Sequence, residues 1–209
     1  MEQIDFALAL AKTHELLSNS RSRTIIGIAG KPGAGKSQLS SYLIENLPSN
    51  LVALVPMDGF HLSNEILEEQ GKRDRKGAPD TFDVESYANL LTEIRRNKMD
   101  EIRYPIFHRE IEASVEDEGV ITPDVKLIIT EGNYLLHDRG GWEAIAPLLD
   151  HRWYLGVDDA TRLNRLVARH HRYGKDLEAA HRWAHGSDEA NARIVEASQP
   201  RADLIVINR

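Results

Sequence analysis

The sequence predicts an α/β fold with a parallel sheet. Three features carry that expectation: five short apolar runs rich in β-branched residues, segments of helical spacing between them, and a glycine-rich loop joining the first run to the helical pattern after it. The runs are Thr24–Ala29, 51–57, 126–130, 152–157 and 203–207. Each is almost continuously apolar rather than alternating, as a strand must be when both faces of its sheet are covered. Strands that alternate with helices imply right-handed crossovers.

The elements follow in order. Phe6, Leu8, Leu10, Leu16 and Leu17 predict an N-terminal helix before the first run. Leu39, Tyr42, Leu43 and Leu47 predict a second helix, stopped by Pro48. Tyr87, Leu90, Leu91 and Ile94 mark a third, and Leu163, Leu166 and Val167 a fourth. Two stretches break the rhythm. Residues 71–81 are charged and turn-rich, and 103–123 space Tyr104, Ile106, Phe107 and Ile111 loosely, like a hairpin. Both are expected to project from the sheet, where specificity usually resides.

Composition narrows the function. In 209 residues, 41% apolar and 28% charged, a full core can form, and one domain is expected. There is no cysteine, which excludes disulfides, thiol nucleophiles and cysteine-held metals and fits a reducing cytoplasm. The apolar run 51–57 is far too short to cross a bilayer, and Glu2 and Asp5 at the N-terminus are wrong for a signal peptide. A net charge of −7 disfavours nucleic acid and anionic membranes as partners. A homodimer is compatible with the sequence, which does not fix the oligomeric state.

Gly30-Lys31-Pro32-Gly33-Ala34-Gly35-Lys36-Ser37 matches G-x-x-x-x-G-K-[ST], between an apolar strand and a helical pattern. Glycines let the backbone wrap a polyphosphate with its N–H groups inward, and the next helix adds its positive end. Lys36 reaches the β- and γ-phosphates of ATP and Ser37 holds Mg²⁺ in this reading, with Gln38 next along the helix. The alternative is an ordinary glycine turn.

Ligands of open α/β sheets lie beyond the carboxyl ends of the strands. Asp58 and Glu131 stand at two such ends. One could serve the metal and the other orient or deprotonate an attacking hydroxyl; the alternative, for Asp-Gly and Glu-Gly pairs, is that they cap turns. Arg162, Arg165, Arg169 and Arg172 recur at helical spacing, with no acidic residue from 160 to 175. Such a stripe repels itself unless an anion is near, so it reads as a phosphate-facing lid, with Tyr173-Gly174-Lys175-Asp176 as its bend. Asn97-Lys98-Met99-Asp100 spells a guanine-reading motif but follows a helical pattern, without a D-x-x-G partner, so guanine specificity is not expected. His181 and His185 at i,i+4 read as a solvated helix face rather than a metal site. Arg201, before the last run, either touches the base or makes a structural turn.

Five motifs then appear in a shared order: the phosphate loop; Pro56-Met57-Asp58-Gly59-Phe60-His61; Arg75-Lys76-Gly77-Ala78-Pro79-Asp80-Thr81-Phe82-Asp83; Glu131-Gly132-Asn133-Tyr134-Leu135-Leu136; and Thr161-Arg162-Leu163-Asn164-Arg165. From about Thr24 onward the chain resembles the uridine kinase, pantothenate kinase and phosphoribulokinase family of P-loop kinases. The nearest-looking branch is the bacterial fructose transport system kinase and nucleoside/nucleotide kinase-like proteins. The resemblance implies a P-loop NTPase fold with a five-stranded parallel sheet in the order 2-3-1-4-5. It also implies a substrate-side hairpin at 98–123 and Arg-bearing lid helices at 158–186, after the N-terminal helix that the apolar spacing places in 1–20. Asp58 then matches a catalytic aspartate, Glu131 an acid near Mg²⁺ and substrate, and Arg165 and Arg169 lid arginines on the transferring phosphate. Asp80 and Asp83 fall in the substrate-side motif, and Tyr104, His108 and Arg109 in the substrate-side hairpin. His61 stands where uridine kinases differ and pantothenate kinases agree, while 158–176 looks more like uridine kinases.

The expected function is an ATP- and Mg²⁺-dependent kinase moving a γ-phosphoryl group to a hydroxyl of a small metabolite such as a sugar, nucleoside or pantothenate-like compound. The alternative is a regulatory P-loop ATPase working with a protein partner such as a sugar transport system, which would hydrolyse ATP without an acceptor.

Overall fold

A computed structural model describes residues 2–96 and 100–208. The motif Asn97–Asp100 therefore lies outside the described residues except at its last position. Six strands form one parallel sheet. In chain order they are β1 (Glu2–Ile4), β2 (Thr24–Ala29), β3 (Val52–Pro56), β6 (Leu127–Gly132), β7 (His151–Gly156) and β8 (Leu204–Ile207). The spatial order is β1-β8-β7-β2-β6-β3. The five strands predicted from apolar runs lie in the expected order, and the count of five is corrected to six. The added strand, β1, pairs with β8 at the sheet edge, Glu2 beside Leu204 and Ile4 beside Val206. Only Ile4 of its three residues is buried, so it carries no apolar run.

Between and after these strands run α1 (Phe6–Asn19), α2 (Lys36–Glu45), α3 (Asn64–Glu69), α4 (Val84–Arg95), α5 (Asp159–Arg172), α6 (Leu177–His185) and α7 (Ser187–Glu196). Side-chain oxygens of Asp5, Ser63, Asp83, Asp158 and Asp176 cap five of them by accepting N–H groups of the first turn. Strands β4 (Ile102–His108) and β5 (Ala113–Ile121) pair antiparallel, apart from the main sheet. Among the described residues no helix is long and apolar enough to cross a membrane.

The sheet buries both faces. Alternation along β2 sends Ile25 and Ala29 into a core with Tyr87, Leu91 and Trp142, while Ile26 and Ile28 join Leu39, Leu43 and Trp153. Each fully buried side chain of this kind is worth roughly 1.5–3 kcal/mol. Polar groups inside find partners: the hydroxyl groups of Tyr87 and Thr130 lie 2.6 Å apart, and Thr130 also donates to the Val55 carbonyl. The result is a rigid platform whose strand ends are fixed in register. Ile28, Glu131 and Pro56 stand level across β2, β6 and β3.

The arginine stripe on α5 divides. Arg162 points inward at 1% exposure and is ion-paired at 2.8 Å with Asp159 and at 2.5 Å with Glu189. It is a structural strut between α5 and α7 rather than an uncompensated charge. Its partners lie just before, and well after, the stretch that lacks acidic residues. Asp159 also pairs with Lys31 of the phosphate loop at 2.7 Å, and Lys31 reaches Glu196 at 3.5 Å. Arg162→Met is expected to lower folding stability by about 2 kcal/mol, discounted because both acids keep access to water. Urea unfolding measures it, with exposed Arg172→Met as a near-neutral comparison.

Candidate active site

The loop between β2 and α2 is shaped by its glycines. Gly33 has φ +80°, and a Cβ there would lie 2.7 Å from the Arg162 carbonyl and 2.8 Å from Leu166. This close approach lets α5 lie directly on the loop. Asn208, beyond β8, donates to the Ala34 carbonyl at 2.9 Å, and Arg165 reaches the same carbonyl at 3.3 Å. The loop is thereby held from two sides.

Lys36 opens α2. Its ammonium donates to Gly30 O at 2.8 Å, Lys31 O at 3.3 Å and Asn133 Oδ1 at 2.6 Å. Burial lowers its pKa to about 8, although Glu131 and Asp58 pull the other way. Ser37 donates to Glu131 Oε1 at 2.7 Å. Burial pushes the Glu131 carboxyl up, and the nearby Asp58 charge adds to this against the opposing pull of Lys36.

Asp58 sits two residues past β3, in a short 3₁₀ turn over Met57–Phe60. That turn is pressed by the β4–β5 pair: a Cβ on Gly59 would fall 2.2 Å from the Pro105 carbonyl. Asp58 accepts from Arg109 at 2.7 Å. Burial alone would raise its pKa, but Arg109, His61, Lys36 and Arg169 together hold it below the usual carboxylate range. His61 donates from Nδ1 to the Asp58 carbonyl at 2.7 Å, a carbonyl being able only to accept. Its ring lies 4.1 Å from Phe82 and 4.7 Å from Phe107, centroid to centroid.

These groups line one cavity of about 680 Å³. The structure brings Pro32, Gly33, Gly35, Lys36 and Ser37 together there with Asp58, His61, Arg109, Glu131, Arg165 and Arg169. Other predicted positions stand outside its lining, each with a visible occupation. Gly30 packs on Leu155, and Ala34 is buried with its carbonyl engaged. Lys31 is consumed by its two acids, and Gln38 accepts from Asn208 at 3.3 Å. Asp80 pairs with Arg75 at 2.5 Å, and Asp83 caps α4. Tyr104 is buried and donates to Leu54 O, and His108 lies 2.5 Å from Glu118. Arg201 pairs with Asp138.

Sequence reasoning missed Asn133 and Asn208, which support Lys36 and the loop. It also missed that Asp188 of α7 pairs with His170 of α5 at 2.6 Å, both lining the cavity. Lone amides carry no spacing signal. Glu131-Gly132-Asn133 was visible as a motif, however, and its amide faces the lysine only because β6 lies beside β2.

The donor set suits a hard cation. Ser37 and Glu131 offer adjacent oxygens, and among the described residues no three His, Asp or Glu side chains gather into a metal cage. Mg²⁺ fits such a site because it keeps waters and takes phosphate oxygens as its other ligands.

Comparison with known proteins gives a consistent result. Residues 25–209 match the model of the Phosphoribulokinase / Uridine kinase family. A Schizosaccharomyces pombe protein named as a "putative uridine kinase" is 32% identical over 92% of this chain and 86% of its own length. The Enterococcus faecalis pantothenate kinase is 38% identical over 52% of this chain and 36% of its own. A crystal structure from Silicibacter sp., described as a "putative fructose transport system kinase", superposes with a TM-score of 0.84. Its sequence identity is 35%, over 97% of this chain and 98% of that one.

Proposed function

The chain belongs to the phosphoribulokinase/uridine kinase family, and from that premise we propose that this small-molecule kinase moves the γ-phosphoryl group of ATP to a hydroxyl through the residues of its central cavity. One observation carries the reading: Lys36, Ser37, Asp58, Glu131, Arg165 and Arg169 converge on a single cavity at the carboxyl ends of the strands.

The phosphate loop and Lys36 bind the triphosphate. Ser37 and Glu131 would hold Mg²⁺, which would shield phosphate charge. Asp58, ionised because its cationic neighbours favour the charged form, orients the acceptor hydroxyl and takes its proton. The acceptor oxygen forms a bond to the γ-phosphorus, the bond from that phosphorus to the β-γ bridging oxygen breaks, and ADP leaves. Arg165 and Arg169 stabilise the charge on the transferring group. The region from α5 to α6 acts as the lid, Gly174 at φ +96° forming its bend, and the β4–β5 pair supplies the acceptor-side wall. A closed site excludes water, which would otherwise compete as acceptor.

The Arg169 guanidinium has no hydrogen-bond partner among the described residues and lines the cavity, whereas Arg165 already holds Ala34. Arg169→Ala is therefore expected to lower kcat by about 10²-fold, less than for a lone arginine finger because Arg165 remains. Single-turnover kinetics at saturating ATP measures it. The reading as a whole is tested by ATP consumption against nucleosides, pantothenate, ketohexoses and pentose phosphates, with product masses recorded. ATP hydrolysis that no acceptor stimulates, but a protein partner does, would replace it.

A further inference from the structure

Resting on that kinase reading, we propose that the acceptor carries an anionic group, a carboxylate or a phosphate, near its reactive hydroxyl, and that Arg109 reads this charge. Arg109 follows β4 and reaches across the cavity to Asp58, spending one N–H there at 2.7 Å. Its remaining N–H groups have no protein partner among the described residues. A guanidinium presents five donors in a planar fork that matches a carboxylate or phosphate.

The neighbouring cations are already committed. Arg73 pairs with Glu112 at 2.7 Å, and Lys76 donates to Asn64 Oδ1 and to the Glu112 carbonyl, each at 2.6 Å. Lys36, Arg165 and Arg169 answer the triphosphate. Lys175 lies over the Trp183 ring, and Arg109 is the cation that touches Asp58 itself and still keeps donors to spare beside it. Basic side chains outnumber acidic ones along the cavity lining, although the chain carries a net charge of −7.

Arg109 also links acceptor charge to the readiness of the base. With a neutral acceptor its only charged partner among the described residues is Asp58, whose carboxylate must receive a proton. An anion beside the hydroxyl gives the guanidinium a second partner and loosens its hold on that oxygen.

The aromatic lining points the same way. His61 lies against both Phe82 and Phe107, Lys76 lies 5.3 Å from the Phe107 centroid, and Lys175 lies 4.5 Å from that of Trp183. Among the described residues only Tyr173, 45% exposed at the end of α5, lines the cavity without such a partner, so no pair of free rings there offers to sandwich a nucleobase. His61, donating through Nδ1, keeps Nε2 as an acceptor for a hydroxyl. Hydroxyl groups and one anion are what this wall recognises.

The test compares acceptors in matched pairs: an aldose with its aldonate, a ketohexose with its 1- and 6-phosphates, and a nucleoside with its 5′-monophosphate. The charged member is expected to show kcat/KM about 10- to 100-fold higher, and the aldonate and phosphate arms identify the source of the charge. Arg109→Met should shrink that preference to a few-fold and Arg109→Lys should restore part of it; a purely structural role would lower both members of a pair alike. Nucleotide binding by calorimetry reports whether each variant is folded, and the wild-type preference stands as a test on its own. Neutral acceptors that equal their charged partners would overturn this inference and leave the kinase reading intact. If no hydroxyl compound were phosphorylated at all, both would fall.

Discussion

Lys36→Met is expected to reduce phosphoryl transfer by about 10³-fold or more. The ammonium lies within hydrogen-bond distance of three protein oxygens, so its position is set before any nucleotide arrives. Preorganised charge is worth most in such a place, because no reorganisation is required during reaction. Methionine keeps roughly the volume of the side chain and removes the charge together with its donors. Transfer should fall in single-turnover kinetics while the melting temperature changes little. The lowered pKa adds a second signature. Burial favours the neutral amine, so the free protein loses this proton as pH rises through about 8. Bound triphosphate favours the charged form, so binding above that pH should take up a proton. Calorimetry in buffers of different ionisation enthalpy measures the uptake, which the methionine variant should lack. Turnover near the wild-type rate would remove Lys36 from the mechanism.

Much of this site was legible because its signals are local. A continuous apolar run names a buried strand, and a glycine loop between strand and helix names a phosphate site. Acids at strand ends, Asp58 and Glu131, needed only the rule that ligands gather at those ends. The structure then placed both in the cavity with Lys36. Contacts that join distant segments were not legible. Arg162 read as a free cation although Asp159 stands three residues before it, because the acid-free stretch begins at 160; its second partner, Glu189, is contributed by another helix. Asn208 reaches Ala34 across the sheet order. Strand β1 has one buried residue, too few to show a pattern. Tyr104 illustrates the converse: the family resemblance put it in the substrate-side hairpin, and a motif cannot show that its hydroxyl donates to Leu54 O, anchoring β4 to β3.

Asp58→Asn is expected to lower kcat by about 10²–10⁴-fold while leaving ATP affinity nearly unchanged. Asparagine keeps the shape of the side chain and an oxygen that can accept from Arg109, but it cannot take a proton. Loss in kcat without loss of nucleotide binding separates a base from a phosphate-binding group. The pH profile separates the two acids. Asp58 lies below the usual carboxylate range despite its burial, because Arg109 leads the cations that favour its charge. Burial pushes Glu131 the other way, above its ordinary value. A group with a depressed pKa stays ionised until the pH falls through that low value. With Asp58 as base, the acid limb of kcat/KM should therefore lie below the pH at which Glu131 protonates, provided Mg²⁺ holds Glu131 ionised. Lower Mg²⁺ concentration should then raise the acid limb toward the Glu131 value, because the metal no longer competes with its proton. A profile that ignores Mg²⁺ and breaks above the ordinary carboxylate range would instead make Glu131 the base and give Asp58 the work of positioning Arg109.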